Sequence, residues 1–573
     1  VKMPNRNVES RFANVPSTYA DRSIFKRPCT HKTSANIGEC IPTYVDIVYP
    51  GDSVKMVTSK VCRLQTMLTP IMDNLYLDTY WFFVPLRLCW THAKNFFGEA
   101  TDQAWVPNVT YTTPTISSPS GGFATGTLAD YMGLPVGVQW NATDENAPFV
   151  FPFRAYALIM NEFFRSTPLT DPLNIPIGDS NQTGTNGSSY INDVVNGGKP
   201  FVACKYHDYF TSALPSPQRA ANPVSFPLIS GSMAPVGATG TDIPNATTKF
   251  GKHSPQWKYI SDSAAYPSAA GTKRAEYMVK DSQDDFYYMQ MGSTDLTTAL
   301  QSNGQLYVAN LWADLSSTVG AVTVNQLRLA FQLQKYYEAL ARGGDRYQEI
   351  IRQLFNTESP DARLQRPEYL GGNRIPIQVH EVINQAQTAN DYLGDLGATS
   401  RTADVHYDFE RSFTEHGVLM CIQVVRYDHS YAQGLEKFWC RHTNEEWYVP
   451  TFASLGELPI WDSEIYADAT TIGTRSVFGY QEAWSDLRYK PDRISGEMRP
   501  GIANTLASWH LSDYYSQLPT LSDGWIREDK SNVDRVLAVQ SSVSNQYFMD
   551  IFFDGTYTRV LPLYSVPGLI DHH

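Results

Sequence analysis

Two β-branched and aromatic runs near the start of the chain, 41–49 and 54–64, are separated by Pro50-Gly51-Asp52. Proline fixes one backbone dihedral and glycine reaches conformations closed to other residues, so the pattern predicts strand, turn, strand. A third run, 75–84, is almost continuously aliphatic and aromatic, short enough for a strand buried on both faces, and Pro85 stops it. Further strands read at 417–427, 533–540 and 546–553, separated by long proline-bearing connections. Strands at both ends of a long chain, with helices and a large insertion between, fit an expanded antiparallel β-sandwich better than an alternating βαβ pattern. The expected fold is mainly β, a jelly roll with long loop insertions and a few helices.

Residues 151–165 predict a buried helix: Phe153, Ala157, Met160 and Phe164 share one stripe, with Tyr156, Ile159 and Phe163 beside it. A helix pair is predicted over 323–356. Its first member opens on the capping box Thr323-x-x-Gln326, carries Leu329, Leu333, Tyr336, Tyr337 and Leu340 at helical spacing, and ends at Gly343-Gly344. Asp345 is expected to cap the second, where Tyr347, Ile350, Ile351, Leu354 and Phe355 repeat at i, i+3, i+4, i+7, i+8. The aromatic stripes of both helices read as core. Between 219 and 322 the composition turns to Gly, Ala, Ser, Thr and Pro with no sustained period, which marks an insertion. Its isolated aromatics Phe250, Trp257, Tyr259, Phe286 and Tyr287 suggest a compact local fold at the surface. The expected organisation is an arm over 1–40, sandwich over 41–218, insertion over 219–322, and sandwich again over 323–573.

A net charge of -13 argues against a surface that grips nucleic acid everywhere. The first 33 residues differ, with seven basic residues against two acidic ones. Arg6, Arg11, Arg22, Lys26, Arg27 and Lys32 are the candidate nucleic-acid contacts, since dispersed cations neutralise phosphates without reading bases. The alternative is a solvated basic terminus. Seven scattered cysteines, with no C-x-x-C spacing, predict free thiols in a reducing cytosol and no zinc finger. The most apolar stretch, 75–88, is interrupted by Asp78, Pro85 and Arg87, so no membrane span is expected. Both ends are read as native, with the initiator methionine excised before Val1.

The search for catalytic chemistry fails at specific positions. His380-Glu381 begins a zinc-protease motif, but Asn384 stands where the second histidine belongs. Gly198-Lys199 resembles the end of a phosphate loop, with Asp193 in place of the first glycine and Pro200 in place of the hydroxyl residue. Asp179-x-Asn181-x-Thr183-Gly184 imitates half a calcium loop, but Tyr190 occupies the position of the bidentate glutamate, so a polar surface loop is expected. His406, Asp408 and Glu410 alternate, and on a strand would share one face with metal-compatible ligands or form a solvated edge. Histidines 207, 442 and 510 sit beside aromatics and read as satisfied structural residues. No catalytic residue, metal or cofactor is assigned. The rival reading is a carbohydrate-active or metal-dependent enzyme on a β-sandwich, for which no carboxylate pair stands out.

Longer strings carry a resemblance. Cys204-Lys-Tyr-His-Asp-Tyr-Phe-Thr-Ser-Ala-Leu-Pro-Ser-Pro-Gln218 resembles a signature of the major capsid proteins of the gokushoviruses, small single-stranded-DNA phages of the Microviridae. So do Arg342-Gly-Gly-Asp-Arg-Tyr-Gln-Glu-Ile-Ile351, Ser359-Pro-Asp-Ala-Arg-Leu-Gln-Arg-Pro-Glu-Tyr-Leu-Gly-Gly372, Val477-Phe-Gly-Tyr-Gln-Glu482, Arg488-Tyr-Lys-Pro491 and Tyr564-Ser-Val-Pro-Gly-Leu-Ile-Asp-His572. Phe82-Phe-Val-Pro-Leu-Arg-Leu88 and Phe151-Pro-Phe-Arg-Ala-Tyr156 agree as well. The resemblance implies a viral jelly roll in a sixty-copy T=1 icosahedral shell around circular single-stranded DNA, bound without sequence preference. It implies a variable insertion projecting at threefold axes, here 219–322, and because projecting loops on a rigid sandwich are where recognition usually resides, this segment is expected to contact a host receptor. Further implied partners are a small basic packaged DNA-binding protein and a minor pilot protein, with assembly in the bacterial cytoplasm and residence in the virion.

Overall fold

The computed structural model describes residues 21–99, 110–220, 324–385, 387 and 393–564, together with the backbone of five strands between 233 and 314. Two compact units divide the chain: 1–221 with 336–573, and 222–335.

Eight strands build the sandwich of the larger unit: β1 Ser23–Ala35, β2 Ile41–Val48, β3 Ser53–Leu64, β4 Leu75–Pro85, β5 Glu368–Pro376, β6 Thr402–Ser412, β7 Gly417–Tyr427 and β8 Tyr547–Arg559. They form two antiparallel four-stranded sheets, ordered β1-β8-β3-β6 and β5-β4-β7-β2. In each sheet the neighbours come alternately from the two ends of the chain. This is the order that two nested Greek keys produce, and it makes the sandwich a jelly roll. Inward residues of both sheets fill the space between, including Trp81, Phe83, Leu419, Tyr547, Ile551 and Phe553.

The two sheets differ in what covers them. Along β3 and β8 buried and accessible residues alternate, because the outer face of their sheet meets solvent. Along β4 and β7 nearly every residue is buried, because segment 86–220 lies across the outer face of theirs. Helix α1, Phe151–Ile159, is the centre of this cover and continues as a π-turn, Met160–Phe164. Its predicted stripe packs there as expected: the Phe163 and Phe82 rings lie 4.7 Å apart, and Tyr80 and Phe164 5.3 Å apart. Arg154, buried within this helix, satisfies its guanidinium on the carbonyls of Cys89 and Gly178, both at 3.0 Å. Strand β5 needs Gly372, since a Cβ there would stand 1.9 Å from the Thr79 carbonyl oxygen of β4.

Several expectations are corrected. The sandwich begins at β1 and not at residue 41, so the second half of the expected arm is an edge strand paired along its whole length with β8. The segment 533–540 is not a strand. It follows a helical turn, Ser531–Asp534, and its buried Val533, Val536 and Leu537 have the i, i+3, i+4 spacing of that turn. The helix pair is present as α2, Val324–Arg342, and α3, Tyr347–Phe355, but α3 is capped by Arg346 and not Asp345. Thr323 lies outside the described residues. The aromatic stripes are not core: neither helix has a buried residue, and Tyr347 and Phe355 are 69% and 73% exposed. Helical periodicity specifies a face that must be covered, and among the described residues no layer covers it.

The smaller unit contains a three-stranded sheet ordered Phe286–Gln290, Ala275–Lys280, Gln256–Tyr259, and a pair formed by Met233–Thr239 and Gln305–Asp314. A segment read as aperiodic thus carries five strands.

Candidate functional site

Residues 436–461 connect β7 to the last third of the chain through three single-turn 3₁₀ helices, Lys437–Cys440, Asn444–Glu446 and Pro450–Phe452. Polar groups hold this frame from behind. Arg475 and Arg441 are ion-paired with Glu446 and Asp486, Lys437 donates to the Pro459 carbonyl at 2.7 Å, and the Trp484 indole N–H donates to the Phe452 carbonyl at 2.8 Å. Hydrogen bonds from Arg475 and from the backbone N–H groups of His442 and Thr443 lower the Glu446 pKa to about 2, so it carries its charge at neutral pH. The aromatics of the same segment are left outside: Trp439 is 64% exposed and Trp447 58%, and Phe438, Tyr448, Val449 and Leu455 are exposed with them. Beneath Phe438 and Trp439 is a cavity of about 550 Å³, lined also by the stacked pair Tyr209 and Tyr489 and by buried Glu464. An aromatic and arginine-rich surface on a rigid, charge-braced frame has the composition of a protein–protein contact. A single chain exposes far more of it than a soluble monomer needs.

The second surface is the open face of the β1-β8-β3-β6 sheet, where exposed Phe548, Phe552, Val405 and Tyr407 alternate with charged residues. The basic candidates distribute around it. Lys26 is exposed on β1, and Lys32 is exposed and pairs with Asp550 at 2.7 Å. Arg27 turns to the sandwich edge, 2.5 Å from Asp46 and over the Tyr557 ring, while Arg22 donates to the Gly51 carbonyl and to Ser53. Arg6 and Arg11 lie outside the described residues. Of the insertion candidates, Trp257 and Tyr259 stand on one strand of the three-stranded sheet and Phe286 and Tyr287 on another, with Trp257 opposite Tyr277. Phe250 lies outside the described residues.

His406, Asp408 and Glu410 do not share a face. A bulge between Tyr407 and Phe409 interrupts the alternation of β6, so Asp408 points inward to Thr58 and His406, while Glu410 stays outside and accepts from the Tyr407 hydroxyl. His380 and Glu381 are on a strand, not a helix. Of the three histidines read as satisfied, His510 is buried and bonded to the Met498 carbonyl at 2.7 Å, whereas His207 and His442 are exposed. Asp179 and Asn181 staple a surface loop, the first accepting from the Trp90 indole at 2.6 Å and the second from the Thr115 amide at 3.0 Å. All seven cysteines are free. No described helix is long and apolar enough to cross a membrane.

Sequence reasoning missed a buried polar network that ties the late segment to the sandwich. His429 bonds Asp513 through Nδ1 and Glu528 through Nε2, both at 2.8 Å. Lys205 and Tyr515 donate to Asp513 at 2.9 and 2.7 Å, and Asn532 donates at 2.7 Å. These residues are far apart in the chain and follow no motif spacing.

The chain matches the family model described as capsid protein (F protein) over residues 13–569. It is 38% identical over 567 residues to capsid protein VP1 of Spiroplasma virus 4, covering 97% of both chains. It is 34% identical to capsid protein VP1 of Chlamydia phage 1, covering 98% of both, and 35% identical to that of Bdellovibrio phage phiMH2K, covering 99% of both.

Proposed function

The chain belongs to the phage capsid (F protein) family, and from that premise we propose that sixty copies close a T=1 icosahedral shell around circular single-stranded DNA, assembled in the bacterial cytoplasm. A capsid protein is structural, not an enzyme, and its place is the virion. The observation that carries the proposed mechanism is the band of exposed aromatics from Phe438 to Leu455, which none of the described residues covers. The helix pair leaves its stripes unburied in the same way.

Sedimentation and negative-stain electron microscopy of the full chain test this reading, and closed particles are the expected result. Trp439→Ala and Trp447→Ala should each weaken the contact by about 2 kcal/mol, a roughly 30-fold change in association. The double variant should stay folded by near-ultraviolet circular dichroism yet form no particles at the concentration where the native chain does. A native chain that stays a monodisperse monomer, or a double variant that assembles normally, would overturn the assignment.

Arg6, Arg11, Lys26 and Lys32 are the proposed genome contacts, supported by the exposure of the last two on the open sheet face. A mainly acidic chain leaves the remaining phosphate charge to cations and to a small basic packaged protein. The insertion is the proposed host-contact element, because a unit compact in itself can project without carrying the shell. Replacing 219–322 with a short glycine-serine linker should leave particles assembled but unable to adsorb to host cells. Loss of assembly with the sandwich still folded would make the insertion an assembly element instead.

A further inference from the structure

The π-turn after α1 and the glycine corner between α2 and α3 enclose a cavity of about 620 Å³ on the larger unit. Four arginines line it, Arg165, Arg342, Arg346 and Arg352, against one carboxylate, Glu349. Gly344, in the left-handed region at φ 89°, makes the corner that brings Arg342 and Arg346 to the same wall.

Arg346 is fixed in position. One terminal nitrogen donates to the backbone carbonyls of Arg165 at 2.8 Å and Asn161 at 3.3 Å. Glu349 accepts from its backbone N–H at 3.1 Å and from its other terminal nitrogen at 3.4 Å. Arg165 donates to the Thr170 carbonyl at 2.8 Å. The Nε groups of Arg165 and Arg346 are both buried and have no hydrogen-bond partner. Burial, and then the like charge of Arg346, lower the Arg165 pKa against the opposing pull of Glu162 and Asp345, so the two arginines stand close. Arg342 is engaged by Glu457, and Arg352 stands at the rim, 70% exposed and 3.5 Å from Glu358.

Four guanidiniums against one carboxylate give the cavity an excess of positive charge and of N–H donors, which an anion balances. We propose that this cavity binds a phosphate group. Guanidiniums brought together from two segments, the turn after α1 and the corner between α2 and α3, suit the several oxygens of a phosphate better than the two coplanar oxygens of a carboxylate. The phosphate can belong to a nucleic-acid backbone or to free phosphate. The site goes beyond the self-association proposed above and does not depend on it.

Calorimetric titration of the full chain with inorganic phosphate and with a fifteen-residue oligothymidylate tests the site. Binding of at least one probe is expected. Arg165→Gln with Arg352→Gln should weaken it about tenfold, and the control Arg488→Gln, outside the cavity, by less than about twofold. Phosphate binding that the oligonucleotide displaces assigns the site to the nucleic-acid backbone; phosphate binding it leaves untouched assigns it to free phosphate. Arg352→Gln alone, at the exposed rim, gives the readout if the double variant fails to fold. The proposal is overturned if neither probe binds, or if the variants bind like the native chain. Lost particle assembly without phosphate binding would overturn it too, and give the cavity to a carboxylate of a neighbouring copy.

Discussion

Asp78→Ala should lower the unfolding free energy of the chain by about 3–5 kcal/mol, because it strips the counterion from a buried cluster and leaves its cations behind. Asp78 is 1% exposed on β4. Its carboxylate accepts from Arg374 Nε at 2.8 Å, Arg426 Nη2 at 2.6 Å, and the hydroxyls of Tyr206 and Tyr80 at 2.8 and 2.9 Å. The Tyr206 ring lies between the two guanidiniums, 4.1 Å from Arg374 and 4.3 Å from Arg426. Strands β4, β5 and β7 and the covering segment therefore meet on one carboxylate. Truncation leaves Arg426, 12% exposed, charged and without its partner. Asp78→Asn keeps the shape and the acceptor oxygen but not the charge, so its loss should be smaller, about 1–3 kcal/mol. Denaturant midpoints followed by tryptophan fluorescence check both. If the alanine variant unfolds at the native midpoint, the cluster does not hold the sheet to its cover.

How far the sequence could be read follows from which signals burial leaves behind. Strands β2, β3, β4 and β7 were legible because one or both of their faces are buried, which forces alternation or a continuous apolar run. Edge strand β1 was not, since both its faces are largely accessible and its lysines and arginine read as a charged arm. Strand β5 was hidden by Gly371-Gly372, a pair that local propensity places in a turn and only the approach of β4 and β6 explains. Asp78 looked like an interruption in an apolar run, because nothing near it in sequence announces Arg374 or Arg426. The stripes of α2 and α3 were seen correctly as periodic and assigned wrongly as core, since periodicity does not say whether the covering layer belongs to the same chain. The connection from Trp439 to Trp461 is aromatic-rich in sequence, and the structure leaves Trp439 and Trp447 outside.

Raising the pH from 6 to 8 should cost the folded chain about 2 kcal/mol through one histidine. Burial alone would lower the His429 pKa, but the carboxylates of Asp513 and Glu528 outweigh it and raise it from 6.5 to about 9. In the unfolded chain those partners are gone and the ordinary value returns. Between about pH 6.5 and 9 the folded state therefore holds a proton that the unfolded state has lost, and stability falls by about 1.4 kcal/mol per pH unit. The contribution is complete below pH 6.5 and is gone once pH has risen through 9. Asp513 acts in the opposite sense. Burial alone would raise its pKa, but His429 and Lys205 hold it well below the usual carboxylate range, so its contribution is present at neutral pH and lost on acidification. Above about pH 8 other groups add to the decline, since burial raises the pKa of Cys40, Cys62, Cys421, Tyr427 and Tyr515 and the unfolded chain releases those protons before the folded one. Denaturant midpoints between pH 6 and 8 should decline in the native chain and stay nearly level in His429→Gln, which starts lower. Parallel declines in the two proteins would show that the slope comes from other groups and that the buried network carries no proton of consequence.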